Sequence, residues 1–398
     1  MSQLEEVKKL MDSQIKKAID ANEVAGMNVL VYKDGKEMIY TQGGYADIDE
    51  NKDFNRNTIF RLYSQSKPVT SAAVMKLMED GIIDITEPVS KYIEGFKDQY
   101  YMENGKMVHL DEPMMIYHLL SMTSGLCYPA IDNVNGCMVD QIFKEADSKL
   151  YTDQAMTTME LANRIGKCTL SFKPGTDWMY GTSADILGAV IESASGMKFS
   201  EYLKKNFFEP LEMKDTAFYV PSEKQNLLAR SYETVWGENG NNKLIEYTGD
   251  NLLIMNRMKT EPAFESGGAG LASTIDDYMH FAQMLLNDGK YKGKQILKPE
   301  TIKYMTNTHL REGSDHGLKL WTGLAGYSYG NLLRVADRPD VASYIIKKGE
   351  YGWDGWLGPY FANFPEENIT ILMGMQKRDA GTWDLTRKLR NIILTNLL

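Results

Sequence analysis

Ser64 and Lys67 stand three residues apart in Phe60-Arg61-Leu62-Tyr63-Ser64-Gln65-Ser66-Lys67-Pro68, a spacing that sets a hydroxyl and an amine on one helix face. A hydroxyl is a poor nucleophile until a base takes its proton, and an amine one turn away is within reach. The same pattern recurs at Ser13/Lys16 and Ser195/Lys198, so context must separate the three. Ser13 and Lys16 fall on the polar side of a helix striped by Leu4, Val7, Met11, Ile15 and Ile19, and Ser195 ends another helix with Gly196 as its cap. Ser64 instead precedes the small and apolar run Val69 to Met78, which Gly81 can stop. Pro68 is tolerated only in a first turn, so Ser64 lies at or just before a helix N-terminus. Free N–H groups and the positive dipole end there suit an oxyanion. The spacing by itself leaves a second reading open, with Ser64 a helix cap and Lys67 a surface charge.

A third group comes from Lys173-Pro174-Gly175-Thr176-Asp177-Trp178-Met179-Tyr180-Gly181-Thr182-Ser183, where a Pro-Gly turn leads to a helix that Thr182 or Ser183 can cap. Tyr180 sits on a rigid loop at that helix start, a position where tyrosine more often packs than reacts. The five histidines show no paired helical spacing, and no Gly-x-Ser-x-Gly elbow is present. Metal catalysis and a histidine-based triad are disfavoured, no cofactor is called for, and His118 reads as a core or capping residue.

The elements that must position these groups form a pattern. Asn28 to Tyr32 and Glu37 to Thr41 flank an Asp34-Gly35 turn, and Tyr360 to Phe364 and Ile369 to Met375 flank Pro365 to Asn368. With a helix at each end, the later one striped by Leu385, Leu389, Ile392, Ile393 and Leu397, the reading is an α+β fold. One antiparallel sheet is assembled from both termini and flanked by the terminal helices, with a mostly helical domain inserted between. The division expected is 1–67 with 265–398 for the sheet domain and 68–264 for the insertion, with the active site in the cleft between. Helical patterns run over Met114 to Met122, Met156 to Ile165 and Ser183 to Ser195, whereas Asn226 to Pro262 is polar and carries no assignable period.

At 398 residues the chain can build a large core without staples. Its 54 acidic against 44 basic residues, a formal charge of −10, argue against nucleic acid or an anionic membrane as partner and favour a neutral or cationic small molecule. Cys127, Cys137 and Cys168 have neither metal-ligand nor disulfide-framework spacing and read as free thiols. The acidic start Ser2-Gln3-Leu4-Glu5-Glu6 and the lack of a long apolar run point to a cytoplasmic protein.

Taken together, Phe60 to Pro68, His118 to Leu126, Phe172 to Gly196, Pro210-Leu211-Glu212-Met213-Lys214-Asp215-Thr216 and Gly267-Gly268-Ala269-Gly270-Leu271-Ala272-Ser273-Thr274 resemble, nearly end to end, the serine β-lactamase-like hydrolases of the class C branch with their D-peptidase and esterase relatives. The resemblance implies an acyl-enzyme at Ser64, with Lys67 and Tyr180 as its proton partners. It also implies the two-domain fold with its site in the crevice. Asn usually stands two residues after that tyrosine, whereas this chain has Thr182. Where the lactamases carry Lys-Thr-Gly, Trp353-Asp354-Gly355-Trp356 resembles the Trp-Gly-Gly of esterase members, and Gly355 would let substrate approach the strand. Thr182, Trp353, Asp354 and Gly355 are thus the expected substrate contacts, with the N–H groups of Ser64 and Trp356 as oxyanion hole. The literal Tyr329-Gly330-Asn331 lies outside the motif context. The expected activity is hydrolysis of a small carboxylic ester. β-Lactamase or D-amino-acid peptidase activity on an amide, or a catalytically idle member used for ligand binding or assembly, are the alternatives.

Overall fold

A computed structural model describes residues 2–238, 241–381 and 383–397; Met1 and Leu398, the outer limits of the expected division, lie outside the described residues. Asp34 and Gly35 take left-handed φ angles of 52° and 71°, as a two-residue type I′ hairpin requires. They join β1 (Gly26–Lys33) to β2 (Lys36–Asp47). With β3 (Lys52–Asp53), β4 (Tyr327–Gly330), β5 (Leu333–Ala336), β6 (Tyr351–Asp354), β7 (Tyr360–Phe364) and β8 (Ile369–Met375), these form an eight-stranded sheet in the order β4-β5-β6-β7-β8-β1-β2-β3. Its strand pairs are antiparallel. The β1–β8 pairing, Met27 opposite Met375 through Lys33 opposite Ile369, joins the two ends of the chain.

Every residue of β8 is buried, because both sheet faces are covered. Val29, Val31, Ile371 and Met373 pack against Val7, Met11 and Ile15 of α1 (Gln3–Asp20) and Leu385, Leu389 and Ile393 of α8 (Asp384–Leu397). Leu30, Phe361 and Leu372 face the larger core. That core contains α2 (Lys67–Glu79), α3 (Ile116–Leu120), α4 (Val134–Lys149), α5 (Thr158–Ile165), α6 (Ser183–Ser195) and α7 (Ile275–Leu286). Residues 67 to 75 of α2 are all buried, as befits a helix rich in small and apolar side chains on every side. Pro68 sits in its first turn, and Gly81 beyond its end has φ 70°. Gly196 caps α6 in the left-handed region.

The polar stretch from Asn226 to Pro262 contains a hairpin, Ser231–Val235 with Lys243–Tyr247. Its alternation is masked because little of either strand is buried, so neither shows a clear apolar face. The three cysteines are free. Among the described residues no helix is long and apolar enough to cross a membrane.

Candidate active site

The backbone ahead of Ser64 is anchored before the hydroxyl is placed. Phe60–Arg61 pairs with Ala272–Ser273, the Leu62 N–H donates to the Leu271 carbonyl at 2.8 Å, and the fully buried Arg61 guanidinium donates to the Ala229 carbonyl at 2.8 Å. Tyr63 then takes φ 45°, left-handed for a buried aromatic residue, at a cost on the order of 1–3 kcal/mol. Edge contact with the Trp356 ring, centroids 5.0 Å apart, holds it there. The outcome is a short 3-10 turn, Tyr63–Ser66, feeding into α2. From Thr58 to Met75, Ser64 alone is not buried.

Lys67 opens α2 and is fully buried. Its three ammonium protons meet three acceptors: Ser64 Oγ at 3.1 Å, the Tyr128 hydroxyl oxygen at 3.2 Å and the Gly268 carbonyl at 2.9 Å. Its Nζ also stands 4.5 Å from the centre of the Tyr180 ring. A desolvated ammonium must have its donors matched, and here all three matches are neutral oxygens.

Tyr180 is fixed from the other side. The Trp353 Nε1–H donates to its hydroxyl oxygen at 3.0 Å. An indole N–H can only donate, so the phenol must accept there and its own proton points elsewhere. The rings of Trp321, Trp353 and Tyr128 lie 5.0, 5.6 and 5.7 Å from that of Tyr180. Behind the loop, Gly175 (φ 87°) leaves only 3.1 Å between a would-be Cβ and His118 Nε2. His118 Nδ1 accepts the Met115 N–H at 3.0 Å at the start of α3, and burial, with Arg311 adding, lowers its pKa to about 4.

Ser64, Lys67, Tyr180 and Trp353 therefore meet, Trp356 packs on Tyr63, the residue before Ser64, and three expected contacts have other partners in the fold. Thr182 is fully buried, and its hydroxyl donates to the Cys127 carbonyl at 3.4 Å; it anchors the segment carrying Tyr128. Asp354 follows Trp353 in an extended strand and so points to the opposite face, where its carboxylate accepts from the buried Arg334 at 2.6 Å. Gly355 makes room for its own chain, because a Cβ there would lie 2.2 Å from the Leu62 carbonyl and 2.5 Å from Pro359. That contact seats the end of β6 against the residues leading to Ser64. Among the described residues neither the Ser64 nor the Trp356 N–H has an acceptor.

Sequence reasoning missed Tyr128 and Gly268. Tyr128 follows the Ser124-Gly125-Leu126 loop, which is zipped to Tyr180's loop by a Ser124–Ser183 hydroxyl bond of 2.8 Å. Gly181 is required there, as a Cβ would stand 2.1 Å from the Leu126 carbonyl. Burial pushes the Tyr128 phenol well above the usual tyrosine range. The glycines flanking each loop were the available signal. Tyr329, from the Tyr-x-Asn run set aside, packs edge-on to Trp178 and Trp353 at 5.5 and 5.1 Å, whereas the Asn331 amide donates to the Tyr304 carbonyl. A concavity of about 580 Å³ beside Phe208, Met213 and Phe218 is lined by none of Ser64, Lys67, Tyr128 and Tyr180. Chemistry rather than volume marks the site.

The family profile described as Beta-lactamase matches residues 11–396. The chain is 27% identical over 355 residues to Esterase EstB of Burkholderia gladioli, covering 87% of this chain and 85% of that one. It is 27% identical over 378 residues to a putative D-alanyl-D-alanine carboxypeptidase of Salmonella enteritidis PT4, covering 91% and 81%. Among solved structures it is similar to EstCE1, described as a hydrolase with promiscuous acyltransferase activity, with a TM-score of 0.80 at 22% identity and coverage of 98% and 99%. That last likeness concerns the fold.

Proposed function

The chain belongs to the beta-lactamase family and is a serine hydrolase, and from that premise we propose that it cleaves neutral carboxylic esters through an acyl-enzyme on Ser64. The observation that carries this reading is a single solvent-reachable serine in an otherwise buried stretch, its oxygen 3.1 Å from the Nζ of a fully buried lysine. In the form that acts as base, with one proton gone from the Lys67–Tyr180 group, Ser64 Oγ attacks the ester carbonyl, its proton passes to that group, and the same proton is given to the departing alcohol as its bond to the acyl carbon breaks. Water then attacks the acyl-serine by the same route in reverse. The free N–H groups of Ser64 and Trp356 receive the developing oxyanion.

The preference for esters follows from the charges present. A penicillin carboxylate needs a facing cation, and among the described side chains bonded to Lys67 or stacked on Tyr180 there is none besides Lys67, whose donors are all engaged; Arg378 lies farther out, over the Trp356 ring. Losing such a charge-assisted contact costs about 1.5–3 kcal/mol, and an alcohol leaving group demands less of the general acid than an amine does. Steady-state rates on p-nitrophenyl acetate and butyrate against nitrocefin test the assignment, with intact-mass detection of the acyl adduct. The esters are expected to have the higher kcat/KM; a higher value for nitrocefin would replace the esterase reading with a lactamase one.

A further inference from the structure

The Gly268 carbonyl that receives Lys67 belongs to the peptide unit joining Gly268 to Ala269. The N–H of that unit, on Ala269, donates to Ser266 Oγ at 2.9 Å, and Ser266 Oγ donates to Asp185 Oδ1 at 2.5 Å. A continuous chain of hydrogen bonds thus runs from Lys67 Nζ through one peptide group and one hydroxyl to a carboxylate on α6. Asp185 Oδ1 also accepts the Gly268 N–H at 3.0 Å. Its side chain is buried, where an acid has reason to exist only if its bonds matter. Burial pushes its carboxyl up, while Ser266 and Lys67 pull it back.

The loop has evidently little freedom to do anything else. Thr70 Oγ1 donates to the Gly267 carbonyl at 2.6 Å, and Ser66 Oγ accepts the Leu271 N–H at 3.1 Å. A Cβ on Gly267 would lie 2.2 Å from the Ala184 carbonyl, and one on Gly268 would lie 3.1 Å from Asp185 Oδ1. The glycines let the loop press against the first turn of α6, where the carboxylate waits.

We propose that Asp185 is a positioning residue for the acylation machinery: through Ser266 and the 268–269 peptide it orients and polarises the carbonyl that holds Lys67, supplying a negative charge without touching the ammonium. Hydrogen bonds in series polarise one another, so the charge strengthens the Lys67 bond while leaving the amine's immediate neighbours neutral. The titratable groups facing this arrangement are Lys67 from α2, Tyr128 from the loop after α3, Tyr180 from the loop before α6, and Tyr329 from β4.

The inference rests on the serine-hydrolase reading, and its test separates the two. Asp185→Asn keeps the shape and one acceptor oxygen but removes the charge; Ser266→Ala breaks the chain and leaves the carboxylate. On p-nitrophenyl butyrate, Asp185→Asn is expected to lower kcat about tenfold to a hundredfold, the loss that goes with one charge-assisted hydrogen bond. KM should stay within about twofold. Its kcat–pH profile should move to lower pH, since removing a negative charge makes every proton on the neighbouring groups easier to lose. Ser266→Ala is expected to show the same kcat loss in smaller measure. A wild-type kcat in Ser266→Ala together with an unshifted pH profile in Asp185→Asn would overturn the inference. Should Asp185→Asn fail to fold, as judged by circular dichroism, an unchanged kcat in Ser266→Ala overturns it alone. If Ser64→Ala still turns the ester over, it is the serine-hydrolase reading that falls.

Discussion

Two sets of fully buried cations lie on either side of β6, and they are treated in opposite ways. Lys67 is met by three neutral oxygens, with a carboxylate only at the far end of a hydrogen-bond chain. Arg334 and Arg390 are met directly: Arg334 by Asp354 at 2.6 Å, and Arg390 by Glu350 at 2.6 Å, with the Tyr327 hydroxyl donating to the same Glu350 at 2.8 Å. Burial works against both guanidinium charges, yet these carboxylates hold them well above the ordinary arginine range. A cation locked to an anion is a structural bolt. One held by hydroxyls and a carbonyl has no anion fixing it in place and stays in contact with the Ser64 oxygen. Trp353 and Asp354 are adjacent residues facing these two environments, so one strand serves both: its polar side fixes it in place, and its aromatic side aims Tyr180.

The sharpest break in this contrast is expected on the reactive side. Ser64→Ala should lower ester turnover by at least about a thousandfold and abolish labelling by a fluorophosphonate. Its urea unfolding midpoint should stay close to the wild-type value, since Ser64 is partly exposed and water can accept the Lys67 donor that the variant releases. On the structural side the effect should invert. Arg390→Ala leaves Glu350 buried and uncompensated, which should cost about 3–5 kcal/mol in urea unfolding. Wherever that variant remains folded, its KM for the ester should be unchanged.

Lys67→Ala and Tyr180→Phe sharpen the comparison, because the Lys67 Nζ stands over the Tyr180 ring and the proposed reaction uses the two as one proton-handling unit. Each is expected to slow acylation by roughly a hundredfold to a thousandfold. The double variant should be little slower than either single one, and losses that multiply would show that the two act independently.

His118 extends the contrast to pH. Its folded pKa of about 4 lies below the unfolded value near 6.5. The unfolded chain therefore takes up the proton first, and stability is full above about pH 6.5 and declines as pH falls toward 4, by up to about 3 kcal/mol. His118→Asn retains an acceptor for the Met115 N–H and removes the titration. Its stability should be flatter than wild type between those limits in urea titrations at stepped pH. The smallest effect is expected from Tyr128→Phe, which deletes one of three acceptors around Lys67 and should cost about tenfold in kcat.

The parts of this molecule that were legible beforehand share a physical property: their signal is local. The Asp34-Gly35 hairpin needs two left-handed residues in a row, Pro68 and Gly81 bracket α2, and the Pro365 to Asn368 turn separates two apolar strands, so each could be read within about ten residues. Ser64 and Lys67 share one helical turn and were legible for the same reason. Thr182, Asp354 and Gly355 were read as substrate contacts, and the partners they have in the fold were not legible because these pack against them from afar: the Cys127 carbonyl, Arg334 and the Leu62 carbonyl. Nothing near Asp354 in the chain announces the arginine that neutralises it. Tyr128 escaped because its partner, Lys67, lies across a loop-to-helix contact that no periodicity encodes.

The pairing of Met27 with Met375 also has a consequence in time. A ribosome adding roughly 5–20 residues per second leaves the completed β1–β2 hairpin waiting on the order of 20 s to a minute before β8 emerges to cover its open edge. During that interval the apolar faces of α1 and β1 have only each other. The all-helical segments, whose contacts are closer in sequence, can form first. The nascent chain thus carries a long-lived sticky edge, and its yield in a cell should depend on holdase chaperones and growth temperature more than the stability of the finished fold would suggest.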